Sequence, residues 1–249
     1  MRVSIITATY NSAMTICDTL RSVEQQAYSD IEYIVVDGAS VDGTLELVKR
    51  ESTRVSKLIS EPDLGIYDAL NKGILAATGD VVGFLHSDDE FASSESVQQI
   101  VDTFLESKKD AVYGDLQYVS ATNTDKVIRY WKSGEYSRNK LKYGWMPPHP
   151  TFYMKRELYE NMGGFDLSYK IAGDYDSLLR YLWSGGVSMS YCEHVLIKMK
   201  QGGVSNRSLK NIYLKSCEDI RALKSSGLAV VPALFWKNFS KIPQFIRKA

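Results

Sequence analysis

The sequence contains no apolar run approaching the roughly 18 residues needed to span a bilayer, so any membrane contact is expected to be peripheral. It has no excess of charge either. Thirty Lys and Arg balance thirty Asp and Glu, and this neutral whole-molecule field gives no general attraction for nucleic acid. Cysteine is sparse. Cys17, Cys192 and Cys217 stand far apart without the C-x-x-C spacing of a structural zinc site, which favours a reduced, cytoplasmic setting. The first ten residues are too short an apolar stretch for a signal peptide, have no small-residue cleavage pattern, and read as a buried strand. Two phosphate-binding signatures are also missing: no G-x-G-x-x-G follows the first strand, and no G-x-x-x-x-G-K-[ST] occurs anywhere. Internal repeats and low-complexity segments are absent from the chain.

What is present alternates. Short β-branched runs and helical periodicities take turns through the first half, predicting an α/β domain with a mostly parallel sheet covered by helices on both faces. Strands are expected at Val3 to Thr9, Ile31 to Asp37, Lys57 to Ser60 and Val81 to Leu85. Helices are expected from Ala13 to Gln26, from Gly43 with Asp42 as a cap, from Gly65 through Ile74, and from Ser93 to Ser107. Beyond Asp110 the pattern loosens, with strands at Ala111 to Val119 and Lys126 to Trp131. Three prolines forbid regular structure between Gly144 and Pro150. A helix near Asp174 to Ser184, a strand from Val187 to Ile197 and a helical, basic tail from Ser208 complete the reading.

The apolar run Val81-Val82-Gly83-Phe84-Leu85 stops abruptly at His86-Ser87-Asp88-Asp89. In open α/β sheets ligands bind beyond the carboxyl ends of the strands, so Thr9-Tyr10-Asn11, Asp37-Gly38 and Ser87-Asp88-Asp89 are expected to converge on one crevice. The adjacent carboxylates Asp88 and Asp89 would repel each other unless a cation intervened. Either they hold a hard metal such as Mg²⁺ or Mn²⁺, or they cap the next helix.

Four ordered stretches carry a resemblance to a known family: Ser4 to Asn11, Ile34 to Thr44, Ser60 to Gly73, and Ala77-Thr78-Gly79-Asp80 leading into Ser87-Asp88-Asp89. A fifth runs from Gly163-Gly164-Phe165-Asp166 through Gly173-Asp174-Tyr175-Asp176. Together they resemble the inverting family 2 glycosyltransferases of the GT-A (Rossmann-like) fold, especially bacterial enzymes that build O-antigens, capsules and exopolysaccharides. The resemblance implies a nucleotide-diphosphate sugar donor, a UDP-sugar, and a saccharide or lipid-linked saccharide acceptor. It implies donor binding by Thr7, Thr9, Tyr10, Asp37, Gly38, Asp68, Lys72, Ser87, Asp88 and His149. Asp88, with Asp89, takes the position that holds Mn²⁺ or Mg²⁺, and Asp174 takes that of the catalytic base, with Asp176 as the alternative. Two departures stand out: His86 and Gly173 occupy places where acidic residues are common in the family.

The domain is expected to cover residues 1–206, with a donor half at 1–115 and an acceptor half at 116–206. A tail at 207–249 follows, in which Phe235, Trp236, Phe239, Ile242, Phe245 and Ile246 interleave with Lys237, Lys241, Arg247 and Lys248. That alternation suits an anionic lipid surface at the inner face of the cytoplasmic membrane, or ordinary packing onto the domain. A homo-oligomer is compatible with the chain. Trp145 suits stacking on a sugar or covering the core. The competing functional reading is a non-catalytic module that binds sugar nucleotides or glycans. A sugar-phosphate nucleotidyltransferase is disfavoured by the missing glycine-rich, basic N-terminal loop.

Overall fold

Alternation of buried side chains along the strands determines the architecture. In the computed structural model, which describes residues 1–201 and 209–239, Ile5 and Val35 pack into one hydrophobic cluster and Ile6, Ile34 and Val36 into another. The period of two sends neighbours to opposite faces, so both faces of the sheet are buried. Strands β1 (Val3–Thr9), β2 (Ile31–Asp37), β3 (Val55–Ser60) and β4 (Val81–Phe84) form its parallel half, with β1 between β2 and β4, and β3 beside β2.

Helices α1 (Ile16–Glu24), α2 (Thr44–Glu51) and α4 (Ser96–Ser107) cover one face with Ile16, Leu20, Val23, Val48, Ile100 and Phe104. Helix α3 (Ile66–Ala76) covers the other with Tyr67, Leu70 and Ile74, the face expected from their spacing. Each fully buried aliphatic or aromatic side chain contributes roughly 1.5–3 kcal/mol, so these two layers dominate the driving force for folding.

The sheet continues beyond β4, and there it is mixed rather than parallel. Its order is β3-β2-β1-β4-β8-β6-β9-β5, with β7 paired outside β6. Here β5 is Asp89–Phe91, β6 Ala111–Ser120, β7 Asn123–Trp131, β8 Tyr153–Lys155 and β9 Met189–Lys200. Only β6 and β9 run parallel; β4 with β8, β6 with β8, β6 with β7, and β5 with β9 are antiparallel. The short strands β5 and β8, three residues each, are too brief to leave a periodic signature in sequence.

Short helices α5 (Arg138–Leu141) and α6 (Arg156–Met162) flank the proline loop, whose last residues, His149–Thr151, wind into a single 3₁₀ turn. Helix α7 (Gly173–Leu178) runs on as a π-helical stretch, Leu179–Ser184, ended by a Gly185 N–H bond to Arg180 O of 2.8 Å. Helices α8 (Leu209–Ser225) and α9 (Val230–Phe239) do not hang free. Ala222, Leu223, Leu228 and Ala233 enter the same cluster as α7. The tail residues Lys241, Ile242, Phe245, Ile246, Arg247 and Lys248 lie outside the described residues.

A buried carboxylate locks the parallel strands at the end away from the crevice. Glu32 accepts from Ser4 Oγ at 2.6 Å, Thr78 N at 2.7 Å and Thr78 Oγ1 at 2.8 Å, and pairs with Lys57 Nζ at 2.9 Å. Burial alone would raise its pKa, but these donors, Ser4 first, pull it down to about 2.

Candidate active site

The parallel register aligns the strand ends: Thr9 lies opposite Asp37, while β4 leaves β1 at Phe84 opposite Ile6, so His86-Ser87-Asp88 departs beside the end of β1. Hydrogen bonds tie the three following loops together. Asn11 N donates to Ser40 Oγ at 2.8 Å, Val41 N to Asn11 Oδ1 at 3.0 Å, and Ala13 N to Asp42 Oδ2 at 3.0 Å. The Ser12 and Ser87 hydroxyls meet at 3.0 Å. Asn11 (φ 48°) and Ala39 (φ 60°) adopt left-handed backbone here, an uncommon conformation for side chains with a Cβ and one that ligand-facing turns often carry. Asp42 also accepts from Thr44 N at 3.1 Å, but it stands one residue before the N-cap, which is Gly43 and not the expected Asp42.

Within this frame the donor-side candidates separate. Thr9 presents a buried hydroxyl with no hydrogen-bond partner among the described residues, whereas the ring of Tyr10 is 63% exposed. Gly38 lies between them and Asp63: a Cβ there would meet Asp63 Oδ2 at 2.4 Å and Tyr10 Cδ2 at 3.3 Å. Any side chain would close that gap. Thr7 does not reach the crevice, because its fully buried hydroxyl bonds Leu85 O at 2.7 Å and shares a hydrogen with Tyr33 OH at 3.0 Å.

Asp37 is likewise fully enclosed. It accepts from Ser40 Oγ at 2.5 Å, Ser40 N at 3.0 Å and Ser60 Oγ at 2.8 Å, so it shapes the Gly38-to-Ser40 turn and presents no open oxygen to a ligand. Asp68 and Lys72 brace the loop before α3. Lys72 Nζ reaches Glu61 at 2.9 Å, Pro62 O at 2.9 Å and Asp68 at 3.5 Å, while Asp68 also accepts Leu64 N at 3.1 Å.

On the opposite wall stands the start of α7. His86 reports both walls: burial lowers its pKa, and the negative charges of Asp88 and Asp174 oppose that shift. The charges of Asp88 and Asp174 thus both act on the His86 imidazole. Burial raises the Asp174 carboxyl above the ordinary carboxylate range, against the pull of Lys237 and Lys215. Asp176, two residues on, turns elsewhere. Its carboxylate bonds Arg180 Nε at 2.9 Å and lines a separate cleft of about 650 Å³ with Asp166, Tyr169 and Arg221, which contains no strand-end residue.

The two family departures have local causes. A Cβ at position 173 would approach the Tyr67 ring at 2.8 Å, and the Gly173 N–H bonds Tyr67 OH at 2.9 Å, so an acidic side chain there would collide with the ring. His86 stacks on His149 at 6.4 Å between centroids, and His149 in turn stacks on Phe84 at 5.3 Å and meets Phe165 edge-on at 5.5 Å. His149 is thus a buried support, not a group at the crevice surface. Burial, and then the charge of His86, holds its pKa down to about 3, so it is neutral. Trp145 packs edge-on against Tyr113 at 5.7 Å, covering the core.

Neither Asp88 nor Asp89 caps α4, which begins at Ser96 without a side-chain cap. Asp89 is 1% exposed, and both its carboxyl oxygens lack hydrogen-bond partners among the described residues. No cluster of three His, Cys, Asp or Glu side chains able to hold a metal forms among the described residues. The donor set nevertheless fits a hard divalent cation that fills its shell with phosphate oxygens and water. Asp88 offers carboxylate oxygen at the strand end, while the Asp89 carboxyl, raised well above its ordinary range by burial and by the charge of Asp88, has Lys200 as its opposing cation.

Three contributors went unseen in sequence. Tyr67 reaches Gly173 across 106 residues, and Glu218 of α8 accepts the N–H groups of Lys170, Ile171 and Ala172 at 2.9, 2.9 and 2.8 Å, fixing the approach to α7. The third is Lys237. Such long-range partners leave no local spacing to read.

An open α/β sheet with a carboxylate-lined crevice at its strand ends is the architecture of enzymes that handle nucleotides. The chain belongs to glycosyl transferase family 2, whose description matches residues 4–170. It is 28% identical over 217 residues to the PGL/p-HBAD biosynthesis glycosyltransferase of Mycobacterium bovis (strain BCG / Pasteur 1173P2), covering 85% of this chain and 82% of that one. An uncharacterized glycosyltransferase of Mycobacterium tuberculosis (strain ATCC 25618 / H37Rv) is 33% identical over 183 residues, 72% of this chain and 68% of the relative. Among solved structures, S. aureus TarS 1–349 in complex with UDP-GlcNAc aligns with a TM-score of 0.70 at 19% identity, over 96% of this chain and 73% of that one. The mannosyltransferase PcManGT from Pyrobaculum calidifontis, in complex with GDP-Man and Mn²⁺, aligns at 0.65 with 20% identity, over 98% and 73%. The fold is that of the GT-A glycosyltransferases.

Proposed function

We propose that this chain is an inverting glycosyltransferase that moves a hexosyl unit from a nucleotide-diphosphate sugar, a UDP-sugar, to a saccharide or lipid-linked saccharide in bacterial surface polysaccharide biosynthesis. One observation carries the reading: the parallel register brings the ends of β1, β2 and β4 together, with the Ser12 and Ser87 hydroxyls meeting at 3.0 Å beside Asp88, and the charges of Asp88 and Asp174 both act on His86. An acceptor hydroxyl held against Asp174 loses its proton to that carboxylate as its oxygen bonds the anomeric carbon. The bond from that carbon to the diphosphate breaks on the far side, which inverts the centre. Burial supports the role, because a carboxyl raised above its ordinary range is a stronger base.

Asp88, with Asp89 beside it, would hold Mn²⁺ or Mg²⁺, whose charge offsets the departing diphosphate. Tyr10 offers an exposed ring for the nucleotide base, next to Thr9 and Gly38. Asp37 serves that contact indirectly, through the turn it fixes. The M. bovis relative, a PGL/p-HBAD biosynthesis glycosyltransferase, supports a role in biosynthetic transfer, and the exposed Phe235, Trp236 and Phe239 support contact with a lipid surface. No described helix is long and apolar enough to cross a membrane.

The test is a screen of UDP-sugars and GDP-sugars with Mn²⁺ for transfer and donor hydrolysis. A UDP-sugar should turn over, chelator should stop it, and Asp88→Ala should abolish it while circular dichroism stays that of the wild type. Full activity in excess chelator contradicts the metal assignment, and binding without any turnover favours the non-catalytic module.

A further inference from the structure

Helix α9 buries its third and seventh positions after Val230 against the domain: Ala233 is inaccessible, and the next residue on that face is a lysine. Lysine is among the residues least often buried without a partner. The side chain of Lys237 is 8% exposed, its Nζ lies 3.0 Å from Asp219 Oδ1 and 3.3 Å above the ring of Tyr175, the residue after the candidate base. Its Cβ packs against Gly144, where an added Cβ would sit 2.8 Å away. Asp219 also pairs with Lys215 at 3.3 Å. Two ammonium groups, Lys215 and Lys237, thus converge on Asp219, with Lys237 against the ring of Tyr175 in the first turn of α7.

We propose that Lys237 is a positioning residue for the reaction: clamped between Asp219 and the Tyr175 ring, it fixes the first turn of α7 and holds Asp174 in its charged, proton-accepting form. This rests on Asp174 being the base. Lys237 leads the groups that lower the Asp174 pKa against burial, with Lys215 next and Asp219 opposing them. The charge of Asp174 also acts on His86 after β4, Tyr67 of α3 and Tyr118 of β6, while Glu218 of α8 holds the Ala172 N–H just before α7 and Asp176 is occupied by Arg180. In this arrangement the C-terminal helices complete the catalytic apparatus.

The experiment is the pH profile of kcat and kcat/KM for Lys237→Met, Lys237→Arg and Lys215→Met in the full-length chain. Removing one nearby charge should move the acid limb of Lys237→Met upward by about one pH unit, with kcat at neutral pH falling severalfold and donor KM nearly unchanged. Lys237→Arg should keep the wild-type limb. Lys215→Met, at a side chain 31% exposed, should fold normally and shift the limb the same way by less. An unmoved acid limb in folded Lys237→Met overturns the inference. If that variant does not fold, an unmoved limb in Lys215→Met overturns it. Asp174→Asn serves as the control: an inactive Asp174→Asn with unmoved lysine variants defeats only this inference, whereas an active Asp174→Asn defeats the base assignment beneath it.

Discussion

Asp174 and Asp176 stand two positions apart on α7, roughly 200° around a helix of 3.6 residues per turn, and so face different surroundings. The charges of Lys237 and Lys215 act on Asp174, while Asp176 is held by Arg180 in a pair whose side chains are 7% and 31% exposed. The sequence left both open as the base, since each is an acidic residue at a helix start. Their environments separate them. Asp176→Asn should therefore act on stability, lowering it by about 1–3 kcal/mol in urea unfolding, because it weakens a mostly buried pair that is partly screened at Arg180. The kcat of the folded variant should stay within severalfold of wild type. A loss of transfer of a hundredfold or so without a loss of stability would move the catalytic role to Asp176.

At the scale of elements, β1 and β2 were legible because they are seven residues each, continuous and buried on both faces. Ile31 to Asp37 was read with the bounds observed, and the abrupt stop after Leu85 marked the site. The short elements resisted for a physical reason. The three-residue strands β5 and β8 and the four-residue helix α5 are set by tertiary pairing, and too few residues lie in each to show a period. Thr7 and Asp37 have their polar side-chain atoms engaged by neighbours and His149 is buried among aromatic rings, surroundings that a residue's place in the sequence does not disclose. The C-terminal helices were read as a tail because their composition is basic and aromatic; the structure divides those properties, with Lys237 inward and Phe235, Trp236 and Phe239 outward at 52%, 51% and 51% exposure. The outward set should bind lipid. Substituting Phe235, Trp236 and Phe239 together with Ser should reduce cosedimentation with anionic vesicles while transfer to a soluble acceptor persists. Equal sedimentation of both proteins would contradict that role.

Across the whole molecule, the crevice depends on a sheet held in register from its far end. Glu32 provides the test of that dependence. Its pKa is about 2 in the folded protein, below its ordinary value near 4.5, so the folded state binds fewer protons and stability gained from Glu32 is present above pH 4.5. It is lost as pH falls towards 2. Glu32→Gln should cost roughly 2–3 kcal/mol at pH 7, with the difference from wild type shrinking between about pH 4.5 and 2; a difference independent of pH would contradict the linkage. The central claim, however, is that one rigid sheet presents a donor-side carboxylate and a base across a single crevice. It is tested most directly by the single-turnover transfer rate of Asp174→Asn with bound UDP-sugar and Mn²⁺. The expected result is a fall of about 10²–10⁴-fold with donor affinity near wild type, because the substitution keeps the shape and removes the basicity. A variant that transfers sugar at the wild-type rate, where chemistry limits turnover, would contradict the account.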